Sequence, residues 1–294
     1  MSKSCWISIF FIACASRLLG QMTPSNSVFW EISGNGLEQS SYLFGTVNFL
    51  PADKFSIPKE VEEALKRCKV FATKIPLDNQ TRKKFNEAIK IPNNGWINDY
   101  LTDDELNHLR LLLLLDFEVK ENDYYDYYSR LQPIILVTAT AALHLGDNII
   151  YPEKALEQVA QKGKLDFVGL STVREEIEAF QKFPVEDQVE ALKYTVNNFY
   201  QHLAEYDNMA KAYLLEQDLE TVKNETFKAT NESRAFKKVY YDARLTGWLP
   251  KIENMISKEA TFLALGVPFL VGEINLIGLL RDSGYTVKPV TVSF

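Results

Sequence analysis

The chain has 294 residues, 46% of them hydrophobic and 24% charged, with 13 Gly and 11 Pro. Those proportions exclude collagen-like, low-complexity and broadly disordered chains, and leave room for one large domain or two small ones. A net charge of -7 argues against a general electrostatic footprint for nucleic acid.

Residues 1–20 (MSKSCWISIFFIACASRLLG) begin with Lys3 and continue as a mostly apolar run from Cys5 to Ala15, too short to span a bilayer. This is the pattern of a secretory signal peptide cleaved near Gly20. Phe11-Ile12-Ala13-Cys14 keeps a second option open, a lipidated Cys14 that anchors the chain. Either way the expectation is export to a periplasmic or extracellular space, with residues 21–294 as a single domain. Cleavage at 20 leaves Cys68 as the sole thiol, which excludes an internal disulfide and a four-cysteine zinc knuckle. No later run of about 18 apolar residues reads as a membrane span.

Two strand-like runs, 28–32 and 41–47, flank the turn signal Gly34-Asn35-Gly36. Helical spacing follows over 58–68, then a short strand over 69–75. Residues 80–145 read as mainly helical, with Thr102 and Glu105 forming a capping box and Pro133 opening an apolar helix that stops at Gly146. A helix over 153–162, a buried strand over 166–170 and a short helix over 172–180 come next. Residues 185–258 are helical, with Gln188, Leu192 and Val196 on one stripe. A central strand over 260–267, a helix over 276–280 and a closing strand over 286–292 complete the chain. The expected fold is α/β: a mixed sheet flanked by helices, with a large helical insertion.

No phosphate loop, dinucleotide fingerprint, GxSxG elbow or HExxH pair is present. The informative stretches are FGTVNFLP (44–51) and LALGVPFLVGEINLIGLLRDSGYTVKPV (263–290). YPEKALEQVAQKGKLDFVGLSTVREEI (151–177) and ARLTGW (243–248) lie between them. In this order they resemble the TraB/GumN family, which includes the Tiki-type metallopeptidases. The family's pattern is a strand ending in Gly-x-x-His, a Gly-Leu-Glu-Thr segment, Glu-Arg-Asn-x-x-Trp, and a second Gly-x-x-His followed by a Gly-Leu-rich helix and Gly-Tyr-x-Val. The resemblance implies a fold like that of Tiki and erythromycin-esterase-like proteins. It also implies a divalent metal, such as Mn or Co, held by the two histidines and a glutamate at the end of the second strand.

The departures from that pattern decide the functional expectation. The histidine positions are Asn48 and Phe269, the strand-end glutamate position is Lys74, and the Glu of Gly-Leu-Glu-Thr is Ser171. Of the Glu-Arg-Asn triple only Arg244 keeps its type, and Glu153 keeps its place upstream. A catalytic divalent ion needs about three nitrogen or carboxylate donors from the protein. Phenylalanine donates nothing, and a lysine beside a dication is repelled by about 8 kcal/mol at 4 Å and an effective dielectric near 20. The expectation is therefore a metal-free, degenerate metallopeptidase-like protein that binds an unknown peptide, protein or small molecule. Its vestigial pocket is formed by Asn48, Lys74, Glu153, Ser171, Arg244 and Phe269, with Lys74 supplying the lost ion's charge toward Glu153. The alternative is an active metal-dependent hydrolase with non-standard ligands.

Several residues have bland readings. Phe269 reads as core packing at a strand end, Asn48 as a strand-end hydrogen-bonder, and Cys68 as a small buried residue closing a helix. His144 follows Ala141-Ala142-Leu143 and reads as a core histidine, whereas His108 and His202 read as surface residues. The tyrosines of ENDYYDYYSR (121–130) read as half-buried, with an aromatic contact surface as the sharper option.

Overall fold

The computed structural model describes residues 27–75, 78–228 and 237–294. Residues 1–20, read above as a signal peptide, lie outside the described residues together with Cys14. A six-stranded sheet forms from β1 (Phe29–Ser33), β2 (Ser41–Thr46), β4 (Val70–Thr73), β6 (Asp166–Gly169), β7 (Thr261–Gly266) and β8 (Thr286–Pro289), in the order β6-β4-β7-β2-β1-β8. Two short strands, β3 (Leu50–Pro51) and β5 (Ile149–Ile150), pair separately. Strands β2, β7, β4 and β6 run parallel, and β1 is antiparallel to both β2 and β8. The expected mixed α/β architecture is what the chain adopts.

Each connection has a local cause. Gly34, Asn35 and Gly36 all take positive φ (76°, 45° and 81°), forming a tight turn, closed by Leu37 N–H donating to Gly34 O at 3.0 Å, that opens the 34–40 connection from β1 to β2. Strand β7 is flanked by β4 and β2 and buried from Thr261 to Leu265, so it reads as an unbroken apolar run. Phe262 stacks on Phe71 of β4 (6.0 Å between ring centroids), and Phe71 meets Phe167 of β6 at 5.4 Å. The register places these three rings in one row across the sheet. Helices including Pro133–Leu145, Pro152–Lys162, Val185–Asn197 and Phe199–Lys211 supply the insertion between β4 and β7. Thr102 caps the helix Asp103–Leu111 with the expected reciprocal box. Among the described residues, no helix is long and apolar enough to cross a membrane.

Three expectations are corrected. The strand over 166–170 is not buried: β6 is the sheet edge, and Phe167 is 40% exposed. His144 is exposed, on the outer side of the last helical turn, while its neighbours Leu143 and Leu145 pack against the core. His202 is buried instead, on one stripe with Glu205, Tyr206 and Met209 of the helix Phe199–Lys211. Cys68 is buried where its helix ends, as expected, and burial pushes its thiol up to about 12. Of the tyrosines in 121–130, Tyr124 is buried while Tyr125 and Tyr127 are exposed.

Gly45 of β2 sits under the turn that follows β7. A Cβ there meets Leu270 Cδ2 at 3.0 Å and Val267 Cγ2 at 3.2 Å. Gly45→Ala is expected to cost about 1–3 kcal/mol by overpacking and to displace the turn that carries Phe269. Chemical denaturation measures this, and an unchanged midpoint would contradict the close fit.

Candidate functional site

The site lies at the carboxyl ends of the parallel strands, where open α/β sheets place their ligands. The β4–β6 pairing continues past both strands: Leu170 N–H donates to Thr73 O and Ser171 N–H to Lys74 O, each at 2.9 Å. Lys74 and Ser171 are thereby fixed side by side. Thr172 then caps the helix Val173–Phe180, its hydroxyl accepting from Glu175 N–H while Glu175 accepts from Thr172 N–H. That entry leaves Glu176 fully buried on the inner face of the helix.

Glu176 is the hub. One carboxylate oxygen accepts from Lys74 Nζ at 2.8 Å and from the Tyr240 hydroxyl at 2.6 Å, and the other accepts from Arg244 Nη2. Lys74 Nζ also donates to Tyr240 Oη at 3.2 Å. Tyr240 comes from a π-helical turn, Lys238–Asp242, that runs directly into the helix Ala243–Ile256, so Tyr240, Arg244 and Trp248 recur at four-residue spacing on one face. Ser171 Oγ accepts from Trp248 Nε1 at 2.8 Å and from Arg244 Nη2 at 3.4 Å. The Arg244 guanidinium lies over Trp248, Tyr240 and Phe269 at 4.6, 4.8 and 5.7 Å from their ring centroids. Phe269, buried on the short turn Val267–Phe269 after β7, closes the wall against Trp248 (4.9 Å) and Tyr241 (5.0 Å).

Four of the six expected pocket residues, Lys74, Ser171, Arg244 and Phe269, therefore meet. Glu153 is partly buried near Lys74, close enough for the two charges to interact. Asn48 is exposed and makes none of the cluster's hydrogen bonds. The expected pairing of Lys74 with Glu153 is corrected to Glu176: a carboxylate with no exposed surface needs counter-charges, whereas Glu153 keeps some contact with solvent. Glu176 and Tyr240 were missed by sequence reasoning. The signal available was the Thr172–Glu175 capping box, which fixes the helix start and places Glu176 one turn beyond Ser171.

The electrostatics follow from this geometry. Burial alone raises the Glu176 carboxyl, but the charges of Lys74 and Arg244 with the Lys74 and Tyr240 hydrogen bonds outweigh it and hold the group below its ordinary range. Burial alone would lower the Lys74 ammonium, yet Tyr240 and Glu176 hold it above its ordinary value and keep it charged. Burial raises the Glu153 carboxyl, only partly offset by Lys74. Burial also lowers the His202 imidazole.

These shifts have defined signs. The Glu176 contribution to stability is in place above the ordinary value of 4.5 and is lost as pH falls through its depressed folded value. A buried neutral His202 likewise loses stability as pH falls below 6.5. Glu153, raised on folding, opposes both, gaining relative stability on acidification toward 4.5. Thermal midpoints measured from pH 8 to pH 3 are thus expected to fall in two stages. The upper stage vanishes in His202→Leu, and the lower stage weakens in Glu176→Gln. A difference between the unmodified chain and His202→Leu that stays constant above pH 5 would rule out the His202 part.

The donor set does not fit a divalent metal. Phe269 offers no donor, Lys74 brings a positive charge, and both Glu176 oxygens already accept from cations. Among the described residues, no group of three or more His, Cys, Asp or Glu side chains is arranged to hold a metal ion.

The model of one family, TraB/PrgY/gumN, matches residues 28–289. The chain belongs to the TraB/PrgY/gumN family. No curated protein and no solved structure matches the chain. Within this TraB/PrgY/gumN member, the matched span runs from the residue before β1 through the end of β8, so it includes every strand and every residue of the Glu176 cluster.

Proposed function

We propose that this TraB/PrgY/gumN protein is an exported binding or scaffold protein in which a metallopeptidase-like centre has been replaced by an internal ion-pair cluster. One observation carries the reading: Lys74, at the strand-end position where the resembled pattern has a metal-binding glutamate, bonds the single buried carboxylate of Glu176, as does Arg244. Glu176 Oε1 already accepts from Lys74 and Tyr240 and Oε2 from Arg244, which leaves at most one lone-pair site for an ion among aromatic neighbours. The ligand-facing parts are Lys74, 30% exposed, and the partly buried Glu153. Ligands in this class are a peptide, a protein segment or a small molecule.

A second reading has one feature in its favour. Glu153 carries a carboxyl raised by burial beside a charged lysine, which is the equipment of a general acid. A peptide-hydrolysis assay with Mn or Co supplied separates the two. The binding reading expects no turnover above blank, with Lys74→Ala no different. Turnover in the unmodified chain that Lys74→Ala or Glu153→Gln abolishes would establish the enzyme.

A further inference from the structure

We propose that the surface groove between the helices Asn79–Ala88 and Val173–Phe180 docks an acidic amphipathic helix of a partner protein. The open groove holds about 800 Å³. Its floor is Val173 and Ile177, one helical turn apart and half-buried, and one wall carries the exposed Lys83 and Lys84. Glu176 takes no part in it. Arg174 and Glu178, two residues to either side of Glu176 and so on the opposite face of the helix, line the groove instead. The inference is therefore independent of what fills the Glu176 centre. The shape is a seat for a helix. Gln80, Lys83, Lys84 and Glu87 form the i, i+3, i+4, i+7 stripe by which one helix meets another, while Thr81 of the same helix is buried against the protein. The lysine stems extend the apolar surface and leave their ammonium groups in water.

Charge selects the partner's chemistry. Both carboxylates that line the groove are engaged: Glu178 with Arg174 at 2.7 Å, and Glu87 with Lys90 at 3.2 Å. Asp78 is held by Thr81 at the start of its helix, and Glu175 bonds Thr172, its charge meeting Lys251 and Arg244 on another side. Among the described residues, Lys83 and Lys84 are left as the groove's unpaired charges. The chain as a whole is acidic, at -7, but exposed charges beyond about 8 Å are screened at physiological salt, so the local pair decides. The complement is a helix with apolar residues for Val173 and Ile177 and carboxylates for the two lysines. Residues 1–26 of this chain have the wrong sign, with Lys3 and Arg17 and no acidic residue. A second copy docked isologously would set the two lysines against their own counterparts.

The test is fluorescence anisotropy of a labelled synthetic helix of about 15 residues, leucine and alanine on one face and glutamate on the other, titrated with the purified chain. A control peptide carries lysine in place of glutamate. The expected result is saturable binding of the acidic peptide, with half-saturation on the order of 10–100 micromolar, and about tenfold weaker binding of the control. The double variant Lys83→Glu with Lys84→Glu reverses that preference, and Ile177→Asp weakens the acidic peptide about tenfold. Both lysines are exposed and unpaired, so the double variant keeps its fold, which circular dichroism verifies. Should it unfold, hydrogen exchange of the unmodified chain decides: the acidic peptide protects residues 79–88 and 173–180, or the proposal is wrong. Equal binding of the two peptides, no saturable binding of the acidic one, or binding that the double variant leaves unchanged overturns it. Self-association in analytical ultracentrifugation that the double variant abolishes would assign the groove to a second copy and overturn it as well.

Discussion

Glu176→Gln is expected to lower the thermal midpoint by about 10 °C. Glu176 has no exposed surface and is bonded by Lys74, Tyr240 and Arg244. Removing its charge leaves Lys74 and Arg244 without the carboxylate that both of them bond. Breaking a buried pair from one side costs about 3–5 kcal/mol, and a chain of this size loses about 2–4 °C per kcal/mol. Lys74→Met should cost far less, since Lys74 is 30% exposed and Arg244 still neutralises the carboxylate. The ordering of the two variants by differential scanning calorimetry is the check. Equal losses, or none in Glu176→Gln, would show that Glu176 is not the hub.

Phe269→Ala should cost about 3–5 kcal/mol, the usual range for truncating a buried phenylalanine. The ring is 4% exposed and packs on Trp248, Tyr241 and Tyr240, with Arg244 lying over it. The cavity would open directly beside Trp248, so a change in tryptophan emission should accompany the lost stability. Phe269→Leu, which refills part of the volume, should recover much of it. Urea denaturation followed by fluorescence measures both effects. A Phe269→Ala variant as stable as the unmodified chain would mean that the ring is a spare part of a loose wall, available for some other use.

The fold was legible because its signals are local. The glycines around Asn35, the Thr102–Glu105 box, Pro133 and the apolar run of β7 each act within a few residues. Edge position is not local: the pattern of residues 166–170 is that of a strand, but which side of β4 it pairs on is decided by the whole sheet. The histidines show the same limit. Periodicity places His144 and His202 on helices, while burial depends on which turn of each helix meets another. The candidate site was half legible. Lys74, Ser171, Arg244 and Phe269 are found by matching the resembled family's motifs; Lys74, Ser171 and Phe269 lie just past strand ends, which converge whatever the intervening helices do, and Arg244 joins them from the helix Ala243–Ile256. Glu176 and Tyr240 are not, because their roles come from a helix entry and a π-helical turn whose registers only tertiary packing sets.

On the reading proposed above, side-chain cations and not a metal fill this centre. Metal content measures it most directly: the purified chain is equilibrated with excess Mn, Co and Zn, gel-filtered and analysed by plasma mass spectrometry, with Glu176→Gln in parallel. Only trace metal is expected in both proteins. One tightly held ion per chain that Glu176→Gln releases would contradict it.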